Sequence, residues 1–199
     1  MKITYHTVSI VFSHYLNNTS YELNKSENEL NSLLNICIRT NKNLWELEDK
    51  VRMHHLGLEF VAKTKMEIDI VNQKRNEIIN SLDSFLDKHL CNIQQESISG
   101  FYSESPGMLI DRLAILFIKQ HFIQQLIEKI DEKDLKSEFI EKQRQLNQHI
   151  TDLGMFLDQY FDKIRNGEVF FKVYKPLKIY NDQRIMKYIQ SISNPLNDK

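Results

Sequence analysis

The sequence contains few residues that interrupt helices, with only five glycines and three prolines among 199 residues. Because glycine and proline destabilise a helix interior more than any other residue, their scarcity favours long helices. Cysteine is also scarce: Cys37 and Cys91 lie far apart and form no CxxC pair. This usage excludes a disulfide framework and is typical of a reducing compartment, so we expect a cytoplasmic protein.

Neither sign of charge dominates the sequence, and no apolar run is long. Lys and Arg number 26 while Asp and Glu number 27, and the resulting net charge of −1 gives no overall field that would attract nucleic acid. The longest strongly apolar run, 113–118, is far shorter than the roughly 20 residues of a membrane-spanning helix. The first residues, MKITYHTVSIVFSHYL, are too polar for a secretory signal and lack its cleavage site. We expect a soluble protein without a membrane span or a nucleic-acid partner.

Apolar residues that recur every three or four positions predict an all-α fold, a single-domain bundle of about five long helices over residues 1–199. The helical core is expected at about 3–166. Its predicted helices cover the following approximate ranges: 3–16, 26–54, 60–90, 106–130 and 135–165. The fourth helix is apolar nearly all round at its start, so we expect it to be the central one.

Residues typical of helix ends support these boundaries. Ser26 and Glu29 form a capping box at the start of the second helix. Ser105 and Pro106 provide an N-cap and a first-turn proline for the fourth helix. The pair Asn166–Gly167 is a left-handed end signal for the fifth helix.

The segment 168–192 differs from the helical core in pattern and in charge. Residues 169–174 are expected to be extended, and a short helix is expected at about 184–192. Three lysines that could bind phosphate or another anion lie here, namely Lys172, Lys175 and Lys178. The alternative is a solvent-exposed strand or loop that packs its aromatic residues against the bundle.

Two helical seams that should be apolar each contain one charged residue. In the second helix the seam consists of Leu30, Leu34, Cys37, Asn41, Leu44, Glu48 and Val51. In the third helix it consists of Ile68, Val71, Arg75, Ile78, Leu82 and Phe85. A charge in a packed seam is unfavourable unless it is paired, hydrated or bound to a ligand. We expect Asp111, which the fourth helix brings inside together with Arg112, to be the partner of Arg75.

A polar stripe on the third helix accompanies its seam and consists of Asp69, Asn72, Asn76 and Asp83. A turn at about 54–59 would fold the second and third helices antiparallel, with Glu48 and Asp69 at similar distances from the turn. The hairpin is therefore expected to gather Glu48, Asp49 and Asp69 into an acidic cluster. Arg52, Lys65 and Arg75 are the available counter-charges.

One hypothesis makes this acidic cluster a metal site. Helix-borne carboxylates suit Mg²⁺, which keeps several water or phosphate ligands. The spacing of E-L-E-D and D-I-V-N is distantly similar to the acidic signature of all-α nucleotide pyrophosphohydrolases, although Asn72 stands where that signature has Asp. This similarity implies that Glu48, Asp49 and Asp69 bind the metal, and that Arg52, Lys65 or Arg75 binds phosphate.

The other hypothesis is purely structural. Glu48, Arg75 and Asp111 would form a buried network that fixes the register of the bundle, and Glu48 with Arg52 would be an ordinary ion pair within one helix.

Four ordered blocks connect the sequence to a known family: W-E-L-E-D-K-V-R (45–52), D-I-V-N-Q-K-R-N (69–76), S-P-G-M-L-I-D-R-L-A-I-L (105–116) and K-V-Y-K-P-L-K-I-Y-N-D (172–182). From about Val8 to Asp182 the chain resembles the uncharacterised bacterial family known as domain of unknown function 4254. The resemblance implies a bacterial cytoplasmic helical protein whose gene neighbours make cell-surface polysaccharide or lipopolysaccharide. It marks a set of motif positions without assigning a role to any of them, and we take these as the candidate ligand-binding residues: Glu48, Asp49, Arg52, Asp69, Asn72, Gln73, Arg75, Asp111 and Arg112.

We therefore expect an accessory protein of envelope-glycan assembly that binds a small phosphorylated ligand or a protein partner. A homodimer remains an open alternative. The competing expectation is a Mg²⁺-dependent nucleotide or phosphoanhydride hydrolase.

Overall fold

The structure, a computed structural model, describes residues 3–18, 28–90, 100–174, 183–185 and 188. Within these ranges the chain forms five α-helices: α1 Tyr5–Leu16, α2 Asn28–Val51, α3 Leu58–Leu90, α4 Pro106–Lys129 and α5 Lys133–Arg165. Short 3₁₀ turns lie at His54–Leu56 and Gln183–Ile185. Two short strands, β1 Gly100–Phe101 and β2 Val169–Phe170, pair in parallel. The predicted all-α helical bundle is confirmed.

The helix ends follow the predicted signals where these lie in the described ranges. The Ser105 hydroxyl accepts a hydrogen bond from the Met108 amide at 3.3 Å, and Pro106 occupies the first turn of α4. Gly167, just after α5, has a φ of 71°, which is the left-handed conformation expected there. The Ser26 half of the capping box lies outside the described residues.

Helix α4 contacts each of the other four helices, as expected of a central element. Its first half is buried almost all round because α1, α2, α3 and α5 cover different sides of it. The largest fully buried side chains of the main core come from several helices and include Phe12, Leu34, Leu82, Leu113 and Phe161. None of the described helices is long and apolar enough to cross a membrane.

A second, smaller core lies where α2 ends and α3 begins. Four buried residues form it: Leu44, Leu47, Val51 and Ile68. Val61 and Val71 pack against them. We call this region the hairpin tip. Because so few buried side chains support it, the hairpin tip contributes less apolar burial than the main core.

The predicted basic C-terminal segment is described only in part. Lys172 is exposed, and its Nζ lies 5.4 Å from the centre of the Phe101 ring, which places it over the short parallel strand pair. Lys175 and Lys178 lie outside the described residues. Of the predicted helix at 184–192, the structure describes a 3₁₀ turn at Gln183–Ile185 and the single residue Tyr188.

Candidate functional site

A buried carboxylate joins three helices at the centre of the bundle. Asp111 on α4 accepts hydrogen bonds from Arg75 Nε at 2.9 Å to Oδ1 and 3.0 Å to Oδ2, and Arg75 Nη2 also donates to Oδ2. Asn41 on α2 donates from Nδ2 to Asp111 Oδ1 at 2.8 Å. The predicted partnership of Arg75 and Asp111 is confirmed. Because each of the three residues comes from a different helix, the network fixes how α2, α3 and α4 are placed against one another.

This network also sets the state of the neighbouring cysteine. Asn41 Nδ2 donates to the Cys37 carbonyl oxygen at 3.1 Å and lies 3.8 Å from its Sγ. Burial, followed by the charge of Asp111, raises the pKa of the Cys37 thiol well above its usual range. The hydrogen bonds to Asp111 likewise raise the pKa of Arg75. At neutral pH the thiol is therefore protonated and the guanidinium is charged.

An open cleft of about 380 Å³ lies beside the network, between α2, α3 and α4. We call it the polar cleft, and its lining residues are Asn41, Leu44, Trp45, Glu48, Arg52, Asn72, Arg75, Ile115 and Ile118. The volume falls in the range of about 300–1,000 Å³ that is typical of small-molecule sites. Apolar walls with a few polar groups are also typical of such sites.

Several polar groups of the polar cleft have no partner in the described part of the chain. Glu48 is exposed and Asn72 is half-buried, and neither forms a hydrogen bond or an ion pair there. The Nη1 atom of Arg75 also has no hydrogen-bond partner in those residues, because its bonds to Asp111 use Nε and Nη2. Arg52 differs, since its guanidinium binds Asp49. The cleft thus offers donors and an acceptor that the fold itself does not use.

The prediction that Glu48 occupies the α2 seam is wrong. Positions 47 and 48 each lie three or four residues from both Leu44 and Val51, so helical spacing allows either one to continue the seam. Leu47 takes the buried position in the hairpin tip, so Glu48 lies at the exposed side of the polar cleft. The predicted pair of Glu48 with Arg52 is also wrong, because Arg52 binds Asp49 instead.

The structure does not bring Glu48, Asp49 and Asp69 together into the predicted acidic cluster. Ile68 takes the buried position on α3, and the next residue, Asp69, is turned about 100° away and is exposed outside the polar cleft. Asp49 is engaged by Arg52. Among the residues that the structure describes, no group of three or more His, Cys, Asp or Glu side chains is placed to hold a metal ion.

The remaining candidates lie outside the polar cleft. Gln73 is half-buried and donates to Glu77 Oε1 at 3.4 Å. The expectation that α4 brings Arg112 inside is wrong, because Arg112 is exposed and forms an ion pair with Glu104. Lys65 is exposed as well.

Asp83 is predicted from the sequence only as a member of the polar stripe, but in the structure it has a specific role. Its Oδ2 accepts from the Ser105 hydroxyl at 2.6 Å, and its Oδ1 accepts from the Gly107 amide at 2.7 Å. Asp83 therefore ties α3 to the N-terminus of α4, where a carboxylate is favourable. Burial raises its pKa to about 6, although the bonds from Ser105 and Gly107 act in the opposite direction.

Trp45, Ile115 and Ile118 also line the polar cleft, although the sequence pattern did not predict them as site residues. Trp45 is the only tryptophan of the chain, and it heads the block at 45–52. Its ring centre lies 5.6 Å from that of Phe122. The feature of the sequence that could have indicated this wall of the cleft is the single tryptophan next to the α2 seam.

Comparison with known proteins agrees with the four sequence blocks. A model of the family described as "Protein of unknown function (DUF4254)" matches residues 31–173, a region that includes every residue of the polar cleft. No curated protein and no solved structure matches the chain. The predicted family is thereby confirmed, and the chain belongs to the DUF4254 family of proteins of unknown function.

Proposed function

We propose that this protein binds a small ligand with an anionic group and several hydroxyls, of which a sugar phosphate is the simplest class. The observation that carries the proposal is the hydrogen bonding of the Arg75 guanidinium. Its guanidinium is held on one side by Asp111, while its Nη1 has no partner in the described residues and the side chain lines an open cleft. A guanidinium fixed in this way is already oriented, so less entropy is lost when it binds an oxyanion.

The other lining residues supply the complementary interactions. The Asn72 amide can donate to the same anion, and the Glu48 carboxylate can accept hydrogen bonds from ligand hydroxyls. Trp45 offers an apolar ring against which a sugar ring can lie, and Leu44 and Ile115 extend that apolar wall. Anions alone would be repelled by Glu48. A ligand that combines an anionic group with hydroxyls satisfies both signs of charge in the cleft.

The expected cellular role rests on the family resemblance and the cysteine usage. Sugar phosphates and nucleotide sugars are the activated precursors from which glycans are built, so a binding protein of this kind would serve envelope-glycan assembly as an accessory component. The location we propose is the cytoplasm. The alternative, a Mg²⁺-dependent hydrolase, receives no support from Asp49 and Asp69, since neither lines the polar cleft.

The proposal is tested by thermal-shift and calorimetric titration of the full chain with sugar 1-phosphates, nucleotide sugars and inorganic phosphate, each with and without Mg²⁺. A ligand at about 100 times its dissociation constant should stabilise the native state by about 2.7 kcal/mol. Glu48→Ala and Asn72→Ala remove groups that the described fold does not use, so they should abolish the response and leave the unliganded midpoint unchanged.

Matched controls lie on the same helices. Glu46→Ala and Asn76→Ala change exposed residues outside the polar cleft and should preserve the ligand response. Asp69→Asn should also preserve it. A response that requires Mg²⁺ and disappears in Asp69→Asn would instead favour the hydrolase, and the absence of any response across the panel would refute the sugar-phosphate proposal.

A further inference from the structure

An apolar stripe runs along the exposed side of the first half of α3. It consists of residues spaced four apart, namely Leu58, Ala62, Met66 and Ile70, and we call it the α3 stripe. Leu58 is 88% exposed, Met66 69% and Ile70 70%. Rows of residues four apart are the ridges by which helices most often pack against one another. The stripe therefore has the form of a helix-packing surface, and it is left exposed by the described part of the chain.

Charged residues flank the α3 stripe in a regular order. Lys63 and Glu67 lie on one side of it, and Lys65 and Asp69 lie on the other. On each side a lysine is followed four residues later by an acid. All four side chains are exposed, and none has an ion-pair partner among the described residues.

This charge order is self-complementary for a second copy of the chain in the opposite direction. A two-fold axis near Met66, perpendicular to the helix, reverses the order of residues and keeps each flank against the same flank. Lys63 then faces Glu67 of the second copy, Lys65 faces Asp69 of the second copy, and both pairs occur twice. Two-fold symmetric dimers require a surface that is complementary to itself in this way.

The apolar residues obey the same symmetry. Met66 meets Met66 of the second copy, and Ala62 meets Ile70, so a small residue lies opposite a large one. Such a contact would also add buried apolar area at the hairpin tip. Between positions 58 and 77 of α3, Thr64 and Ile68 are the only buried residues. Two hairpins packed together would bury the tip inside a four-helix arrangement.

We propose that the α3 stripe is a homodimer interface, with the second copy antiparallel and the two-fold axis near Met66. Arg75 lies nine residues, or two and a half helical turns, after Met66, so it is on the opposite side of α3. The polar cleft therefore stays open in the dimer. Ligand binding and dimerisation are then separate properties, and either proposal can fail without the other.

The test is sedimentation velocity of the full-length chain over a wide range of concentration. The wild type should be a concentration-dependent dimer. Met66→Glu places two carboxylates together at the two-fold axis and should weaken dimerisation about 30-fold or more, the effect of a central interface residue. Met155→Glu is the matched control, since Met155 is an exposed methionine on α5, and it should leave the dimer intact. Because both methionines are exposed, helicity by circular dichroism should not change.

A charge reversal tests the orientation of the two copies. Lys63→Glu should weaken the dimer, and the added substitution Glu67→Lys should restore it, because the pair is then re-formed with its signs exchanged. A wild type that is monomeric at every concentration overturns the proposal. So does a dimer that Met66→Glu leaves unchanged, since the copies then meet through another surface.

Discussion

Removal of Arg75 is the perturbation for which the structure makes the clearest quantitative prediction. The side chain of Asp111 is only 5% exposed, whereas that of Arg75 is 29% exposed. Arg75→Met leaves a buried carboxylate with Asn41 as its one remaining partner among the described residues, which should cost about 3 kcal/mol in the free energy of unfolding. Asp111→Asn leaves a guanidinium that the cleft can still hydrate, and it should cost only about 1.5 kcal/mol, the loss of charge-assisted hydrogen bonds.

Two further variants isolate the cause. Arg52→Met removes another ion-paired arginine of the same cleft, but its partner Asp49 is on the surface, so the change should cost less than about 1 kcal/mol. The double variant Arg75→Met with Asp111→Asn no longer contains an uncompensated charge. It should therefore be more stable than Arg75→Met alone, by about 1 kcal/mol or more.

The assay is equilibrium unfolding in urea, followed by circular dichroism, with the slope of the free energy against denaturant compared among the four variants and the wild type. An equal slope shows that the midpoint shift reports stability. If Arg75→Met costs no more than Arg52→Met, or if the double variant is no better than Arg75→Met, then the buried charge of Asp111 is not what Arg75 compensates.

Three other features give predictions of their own. Asp83 has a pKa of about 6 in the folded state, above the unfolded value of about 3.9, so the wild type should lose about 2–3 kcal/mol of stability relative to Asp83→Asn as the pH rises from about 4 to about 6. Urea unfolding measures this difference in free energy, and a difference that does not change over this pH range contradicts the assignment. A Cβ at Gly107 would lie 2.7 Å from the carbonyl oxygen of residue 79, so Gly107→Ala should cost about 1–3 kcal/mol in stability. Gly154→Ala should cost less, because the added Cβ would meet the ring of Tyr5, which can move. Equal thermal midpoints for the two variants would refute this ordering. In a Cys91→Ser background the Cys37 thiol should resist alkylation by iodoacetamide in the native protein and react only on unfolding, and rapid native labelling would show that the thiol is not buried.

The helices and their central element could be predicted from the sequence because spacing and end signals act locally. Ser105 and Pro106 begin α4 as their chemistry requires, and Gly167 follows α5 in a left-handed conformation. The partnership of Arg75 with Asp111 was also predictable, since both charges lie in otherwise apolar surroundings and each needs the other. Local pattern and the requirement for charge compensation therefore carry most of the fold.

The polar cleft could be predicted only in part, because periodicity does not settle a choice between adjacent positions. Positions 47 and 48 both continue the α2 seam, and only packing in the hairpin tip selects Leu47 and leaves Glu48 outside. Asp69 left the predicted cluster for another reason: Ile68 is buried as predicted, but the stripe position beside it is exposed to solvent instead of facing α2. An error of one residue changes the direction of a side chain by about 100°, which is enough to remove it from a site.

The sequence left two hypotheses open for its buried charges, a structural network and a ligand site, and the geometry divides these roles among different residues. Asp111 and Asn41 are buried and bound to one another, so they serve the fold. Glu48 and Asn72 have no partner in the described residues, so the described fold does not depend on their hydrogen-bonding groups. Arg75 belongs to both groups, because Asp111 binds one side of its guanidinium while Nη1 is left for the cleft. If our proposal is correct, Arg75→Lys should keep much of the stability, since the positive charge remains, yet weaken ligand binding, since a point charge cannot bind Asp111 and an oxyanion in the same fixed geometry.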